Sequence, residues 1–286
     1  MRPMKPDPAI RVQKLRIPTP HGSIPALLLS PKCAPVNATG VLWLHGGGYI
    51  AGMKEMIHMS RAVDLVKKYG AVVLSPGYRL ALQAPYPAAI DDCYASLLYL
   101  KANAAALGVR SDQLMVGGES AGGGLCAAVC IRARDEGTVN VAFQMPLYPM
   151  LDDRDTETSR SNHGRVWNTR RNHLAWRLYL RRADRAHLSP YAAPARLADF
   201  SGLPPAYAFV GDGEPFYAEA VRYFGLLRAA GVPAELDVYH TDMHAFDMMG
   251  PDAVLSLQVA ECFNRHFADA QSRFFAPQPE NRRTCP

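Results

Sequence analysis

No stretch of this 286-residue chain is apolar for the length, about eighteen residues, that a bilayer crossing requires. The opening "MRPMKPDPAIRVQKLRIPTP" also lacks the apolar run of a signal peptide. A soluble, cytoplasmic protein without stable membrane insertion is therefore expected. The six cysteines (Cys33, Cys93, Cys126, Cys130, Cys262, Cys285) are scattered without CxxC or Cys/His metal spacing. Neither a disulfide framework nor a metal site is signalled, and reduced thiols are the simplest expectation. The charge excess is small, +5, and the arginines are not interleaved with aromatics on a recognisable nucleic-acid fold, so no nucleic-acid partner is expected. There is no G-x-x-x-x-G-K-[ST] loop and no G-x-G-x-x-G opening a βαβ unit, and no cofactor is expected. Repeats, low-complexity linkers and shifts of composition are missing too, which favours one domain over residues 1–286.

What is present is an ordinary globular balance, 49% apolar and 20% charged, with enough apolar mass for a sizeable core. "IRVQKLRI" at 10–17 alternates apolar and polar, and "IPALLLS" at 24–30 follows a turn at Pro20-His21-Gly22, which predicts an antiparallel edge hairpin. Beyond it, short apolar runs at 40–45, 71–76, 113–118, 141–149, 206–211 and 234–239 alternate with helical stretches. That rhythm predicts βα units and a mainly parallel twisted sheet flanked by helices on both faces. Helices are expected over 60–69, 87–106 and 217–230, each closed by a glycine (Gly70, Gly108, Gly231). The proline-rich end, 276–286, reads as a loose tail.

Ligands of open parallel sheets bind beyond the carboxyl ends of the strands, and two motifs sit there. Gly118-Glu119-Ser120-Ala121-Gly122 is a G-x-S-x-G between a predicted strand and a predicted helix. Such a turn lifts a serine hydroxyl above the sheet, and its glycines let neighbouring backbone approach. His45-Gly46-Gly47-Gly48 follows the first parallel strand. Its bare backbone amides at Gly46 and Gly47, with that of Ala121, form a candidate oxyanion hole, while His45 is expected to brace the loop. A serine nucleophile needs a histidine base, and the base needs an acid to hold its tautomer. Of nine histidines, His21, His58, His163, His173, His187 and His266 read as surface residues. His240 abuts the last strand, and His244 stands on the loop beyond it, with room to reach Ser120; His244 is favoured.

Together "HGGGY", "YRLALQAPYPAAIDDCYASLLYL", "GESAGGG", "SPYAAPARLADFSGLPPAYAFVGDGEP" and "AGVPAELDVYHTDMHAF" resemble, in order over Val41 to Met249, the bacterial hormone-sensitive-lipase-like carboxylesterases. The resemblance implies an α/β-hydrolase fold, cofactor-free hydrolysis of small carboxylic esters through an acyl-enzyme, and a helical cap. It also bears on the acid, for which both Asp212 and Glu214 are available. Family members carry it on a D-P-L-like tripeptide at the place of Glu214-Pro215-Phe216, so Glu214 takes the role by resemblance, with Asp212 as the alternative. Pro215 suits the first position of the following helix and would hold Glu214 in the loop, whereas Asp212 before Gly213 reads as an Asx turn.

The chain departs from the pattern in three places. Glu214 replaces the usual aspartate, "YRLALQ" stands for "YRLAPE", and the residues before His45 read as hairpin rather than a helical cap segment. The cap is thus expected to be reduced to an insertion at 152–187, an arginine-rich stretch carrying Trp167, Trp176, Leu178 and Leu180. An amphipathic helix with a solvated basic face accounts for it; an arginine-lined mouth selecting anionic esters is the alternative. The functional expectation is a serine carboxylesterase for small, short-acyl esters, with Ser120, His244 and Glu214 catalytic and Gly46, Gly47 and Ala121 on the oxyanion. An amidase or peptidase could use the same set, and a non-catalytic ligand receptor could use the same fold. Cys126 and Cys130 read as packing residues, and an exposed last strand would suit a homodimer.

Overall fold

A computed structural model describes residues 5–279. Eight strands form one sheet: β1 (Ile10–Thr19), β2 (Gly22–Pro31), β3 (Ala38–Leu44), β4 (Val72–Pro76), β5 (Val109–Glu119), β6 (Phe143–Leu147), β7 (Ala206–Gly211) and β8 (Ala234–Tyr239), in the order β1-β2-β4-β3-β5-β6-β7-β8. The first two make the expected hairpin, with Thr19 opposite Gly22 and Ile10 opposite Pro31. β2 pairs antiparallel with β4, and every later pairing is parallel, so β2 alone runs against the rest.

The alternation of side chains across β3 divides the core. Leu42 and Leu44 join Leu74 and Val116 on the face covered by α2 (Ala88–Ala102) and α3 (Ala121–Glu136). Val41 and Trp43 join Val73 and Met115 on the face covered by α1 (Ala62–Tyr69) and α7 (Ala253–Arg273). Gly117 leaves room for Trp43, whose ring lies 2.5 Å from where a Cβ would stand. Two further helices flank the carboxyl-end loops: α5 (Tyr217–Ala229) and the single turn α6 (Phe246–Met249).

Of the three helices expected to close on a glycine, α1 ends at Gly70 (φ 68°) and α5 just before Gly231 (φ 77°), both left-handed. α2 is the exception, stopping at Ala102 rather than near 106. The Asn103 side-chain amide donates to the Tyr99 carbonyl at 2.8 Å and closes the helix early, and a looser turn carries the chain on to Gly108. The stretch expected to be loose from 276 is held where it is described: Ala276 N donates to Asp112 O at 2.7 Å and Asn140 Nδ2 to Pro277 O at 2.6 Å. Positions 280–286 lie outside the described residues.

The segment expected to form the cap leaves the sheet after β6 and returns at β7, and it contains one α-helix, α4 (Thr169–Tyr179), N-capped by Asn168. Its face is amphipathic as expected: Asn172, Ala175, Trp176 and Tyr179 are buried, whereas Arg170, Arg171 and Arg177 are exposed. Tyr179 stacks on Tyr49 with ring centroids 4.2 Å apart, and its carbonyl accepts from Tyr86 N at 2.8 Å. These contacts fasten α4 onto the loops that follow β3 and β4.

Candidate active site

Ser120 sits between β5 and α3 at φ 57°, ψ −117°, a conformation that costs on the order of 1–3 kcal/mol for a residue with a Cβ. The surroundings hold it there. Its amide donates to Leu147 O, and its carbonyl accepts from Gly124 N and Met150 N, all at 3.0 Å. The flanking glycines are steric necessities: a Cβ on Gly118 would lie 2.6 Å from Leu44 O, and one on Gly122 2.0 Å from the same oxygen. Close packing against β3 therefore explains the residue types of the G-x-S-x-G.

The loop after β8 brings His244 to this serine, with Nε2 2.8 Å from Ser120 Oγ. On the other side of the ring, Nδ1 is hydrogen-bonded to Glu214 Oε2. The remaining carboxylate oxygen of Glu214 accepts from Gly211 N at 3.0 Å, and Glu214 is fully buried. Phe216 and Tyr148 meet the imidazole edge-on, at centroid separations of 5.0 and 5.1 Å, and keep it from turning. Asp212 is elsewhere: it accepts from Thr241 N at 3.1 Å and pairs at 2.8 Å with His240, whose side chain is 99% exposed. The structure thus joins Ser120, His244 and Glu214 in one buried chain and leaves Asp212 and His240 outside it. His21, His163, His173 and His187 are exposed as expected. His58 is buried instead, and His266 is half-buried against Tyr207.

Gly46 packs on the serine itself; a Cβ there would come within 3.3 Å of Ser120 Cβ and 3.0 Å of Glu119 O. Gly47 is at φ 118°, where a side chain would meet Ala51 O at 2.2 Å. Ala121 follows the serine at the N-terminus of α3, where helix amides have no partner within the helix. All three candidate amides are therefore brought to the serine's end of the sheet. His45 stacks on Tyr78 at 4.1 Å, its Nδ1 is 2.8 Å from Gly46 O, and burial pulls its pKa down to about 4. It braces the loop as a neutral ring. Tyr78 adds a hydrogen bond to His45 O at 2.7 Å, and Arg79 grips Asp92 with two contacts of 2.9 Å. The unusual Leu82-Gln83 pair lies outside this bracing, apart from Gln83 Oε1 accepting from Leu80 N.

Comparison with known proteins fits this geometry. A family model described as the alpha/beta hydrolase fold matches residues 41–248. The chain belongs to the α/β-hydrolase fold family. Within it the relatives place it on the hormone-sensitive-lipase-like branch. The esterase LipI of Mycobacterium tuberculosis is 32% identical over 243 residues, 84% of this chain and 76% of the relative. The carboxylesterase NlhH of the same organism is 34% identical over 229 residues, covering 78% and 71%. Among solved structures, a bacterial heroin esterase superposes with a TM-score of 0.85 at 32% identity, covering 90% of this chain and 83% of the other. A hyperthermophilic esterase from Pyrobaculum calidifontis gives 0.84 at 31%, covering 94% and 85%.

Several residues of this α/β-hydrolase site have no motif of their own. Asp247, three positions past His244, is fully buried and accepts from Arg61 Nε at 2.8 Å and from Tyr148 OH at 3.0 Å. Arg61 also donates to the Asp247 carbonyl at 2.5 Å, so the histidine loop is tied to the start of α1. Glu219 on α5 accepts from the amides of Leu151 and Asp152 at 2.6 and 2.5 Å, and burial raises its carboxyl well above the usual range. It pins the chain where it leaves β6. Glu119 accepts from Trp43 Nε1 at 2.8 Å, and burial pushes its pKa up to about 8. The only sequence signal for these acids was their position beside the motifs. Trp167 lies over Gly48, where a Cβ would be 2.1 Å from its ring. Beside it, a cleft of about 950 Å³ opens between Ser161–Val166 of the cap and the Asp242–Pro251 loop, with Arg165 and Arg171 on its wall. No described helix is long and apolar enough to cross a membrane.

Proposed function

We propose that the protein is a serine carboxylesterase acting on small, short-acyl esters through an acyl-enzyme. The observation that carries this reading is the buried chain of hydrogen bonds from Ser120 through His244 to Glu214. Ser120 Oγ attacks the ester carbonyl carbon while its proton passes to His244 Nε2. Glu214 keeps the other ring nitrogen protonated and stabilises the imidazolium that forms. The oxyanion of the tetrahedral intermediate is met by the amides of Gly46, Gly47 and Ala121, preorganised by the glycine loop and the start of α3. Its collapse breaks the bond to the alkoxy oxygen, which leaves as the alcohol with the proton from His244. Water then enters, gives a proton to His244, and releases the carboxylic acid from Ser120 by the same steps in reverse. Trp167 on Gly48, and Phe216 and Tyr148 against His244, support a small acyl pocket. We further propose one catalytic domain over the whole chain, with 152–187 as its cap, and self-association through the β8 edge, which light scattering tests directly.

The test is hydrolysis of a short-acyl aryl ester by the wild type and by Ser120→Ala, beside the matched amide. Activity on the ester that vanishes with Ser120→Ala supports the reading. Preference for the amide overturns the substrate class, and a wild type that neither hydrolyses any ester nor reacts with an organophosphonate overturns the enzyme.

A further inference from the structure

At the far edge of the sheet from the hairpin, β8 and α7 bring together a thiol, an imidazole and a carboxylate that the hydrolytic site does not use. Cys262 and His266 are four apart, so they share one face of α7, and that face lies on Asp237 of β8. One ligand atom from each falls within 4.8 Å of the other two. Cys262 Sγ is 2.9 Å and His266 Nε2 3.8 Å from Asp237 Oδ2. Four ligands around a tetrahedral zinc, with bonds of about 2.0–2.3 Å, stand about 3.3–3.8 Å apart, so closing the cluster on an ion takes only small side-chain rotations.

We infer that Asp237, Cys262 and His266 form a binding site for a divalent transition-metal ion, of which zinc best suits one sulfur, one nitrogen and one oxygen ligand. The outer groups support it. His266 Nδ1 faces the exposed Glu235 carboxylate at 3.7 Å, beyond a hydrogen bond but near enough for Glu235 to draw in and accept the ring N–H once Nε2 turns to the ion. Tyr207 holds the ring by stacking at 3.9 Å and donates its hydroxyl to Asp237 Oδ2 at 2.8 Å, orienting the carboxylate as well. Arg265 donates to Cys262 Sγ at 3.1 Å, an interaction that strengthens when the sulfur is a thiolate. On binding, the Cys262 thiol gives its proton to solvent and the sulfur takes the ion, while water fills the fourth position. The three ligands are half-buried, which leaves the ion a path in. The effect is structural: the ion staples β8 to α7 across the segment that carries His244.

The probe is cobalt(II) titrated into the full-length chain, read by its thiolate charge-transfer absorption, with zinc competing it away. The wild type is expected to saturate at one equivalent. Cys262→Ser loses the band, and His266→Gln and Asp237→Asn weaken binding tenfold or more. The melting temperature of the wild type rises with the logarithm of free zinc, and that of Cys262→Ser does not. Circular dichroism verifies that each variant is folded, and ester hydrolysis by Cys262→Ser without metal stays at the wild-type rate. A wild type with no saturable band, or a band that persists in Cys262→Ser, overturns the site.

Discussion

Glu214 and Asp212 stand two residues apart, and what separates them is burial and reach. Glu214 is fully buried on His244, whereas Asp212 holds an exposed histidine and a turn amide. Glu214→Gln is expected to lower kcat for an aryl ester by about 10³–10⁴-fold, because the amide cannot hold the imidazolium. Asp212→Asn should stay within about twofold, as exposed pairs contribute little. Two buried groups make stability depend on pH in opposite senses. His45 takes its proton near pH 6.5 when unfolded and only near 4 in the fold, so across that window the unfolded chain holds the extra proton and stability rises with pH. Glu119 loses its proton near 4.5 when unfolded and near 8 in the fold, so stability falls as pH rises over that range. Glu119→Gln keeps an acceptor for Trp43 and removes the second effect. Its melting temperature, compared with the wild type from pH 4.5 to 8, should gain steadily toward the alkaline end.

Two connections between elements decide whether the site is assembled. Arg61 on the approach to α1 and Asp247 at α6 form an ion pair in which Asp247 is fully buried. Breaking it strands a buried guanidinium, so Asp247→Asn should destabilise the fold by about 3–5 kcal/mol in urea titrations and also depress kcat by loosening the His244 loop. The other connection runs from the segment proposed as a cap to the Gly46–Gly48 loop. Trp167→Ala empties the space over Gly48, and the ratio of kcat/KM for long-acyl over short-acyl aryl esters should rise about tenfold or more. Element boundaries were the less legible part of the sequence. The glycine at 108 predicts a helix running on to 106, but the side chain of Asn103 competes for the helix carbonyls and ends it at Ala102. The helix after β6 was legible only as an arginine-rich amphipathic stretch over 152–187; the fold confines it to Thr169–Tyr179, because Asn168 caps its start.

Over the whole molecule, the sheet, its hairpin edge and the strand-to-helix turn at Ser120 all follow from local patterns: period-two runs, glycine stops, and glycines where backbone crosses backbone. So do the positions of Ser120 and His244, since each is tied to a motif or to the end of a predicted strand. Adding family resemblance brought Glu214 forward. What only the tertiary structure decided is which groups share a buried environment. Neither Arg61, 186 positions from Asp247, nor Asp237, 25 from Cys262, carries any mark of its partner in the chain. Local sequence determines what a residue's own backbone must do, because sterics and hydrogen bonding act over a few positions. Burial, and with it the raised carboxyl of Glu119, the neutral ring of His45 and the pairing of distant charges, depends on how the strands are ordered across the sheet. That ordering exists only once the chain has folded.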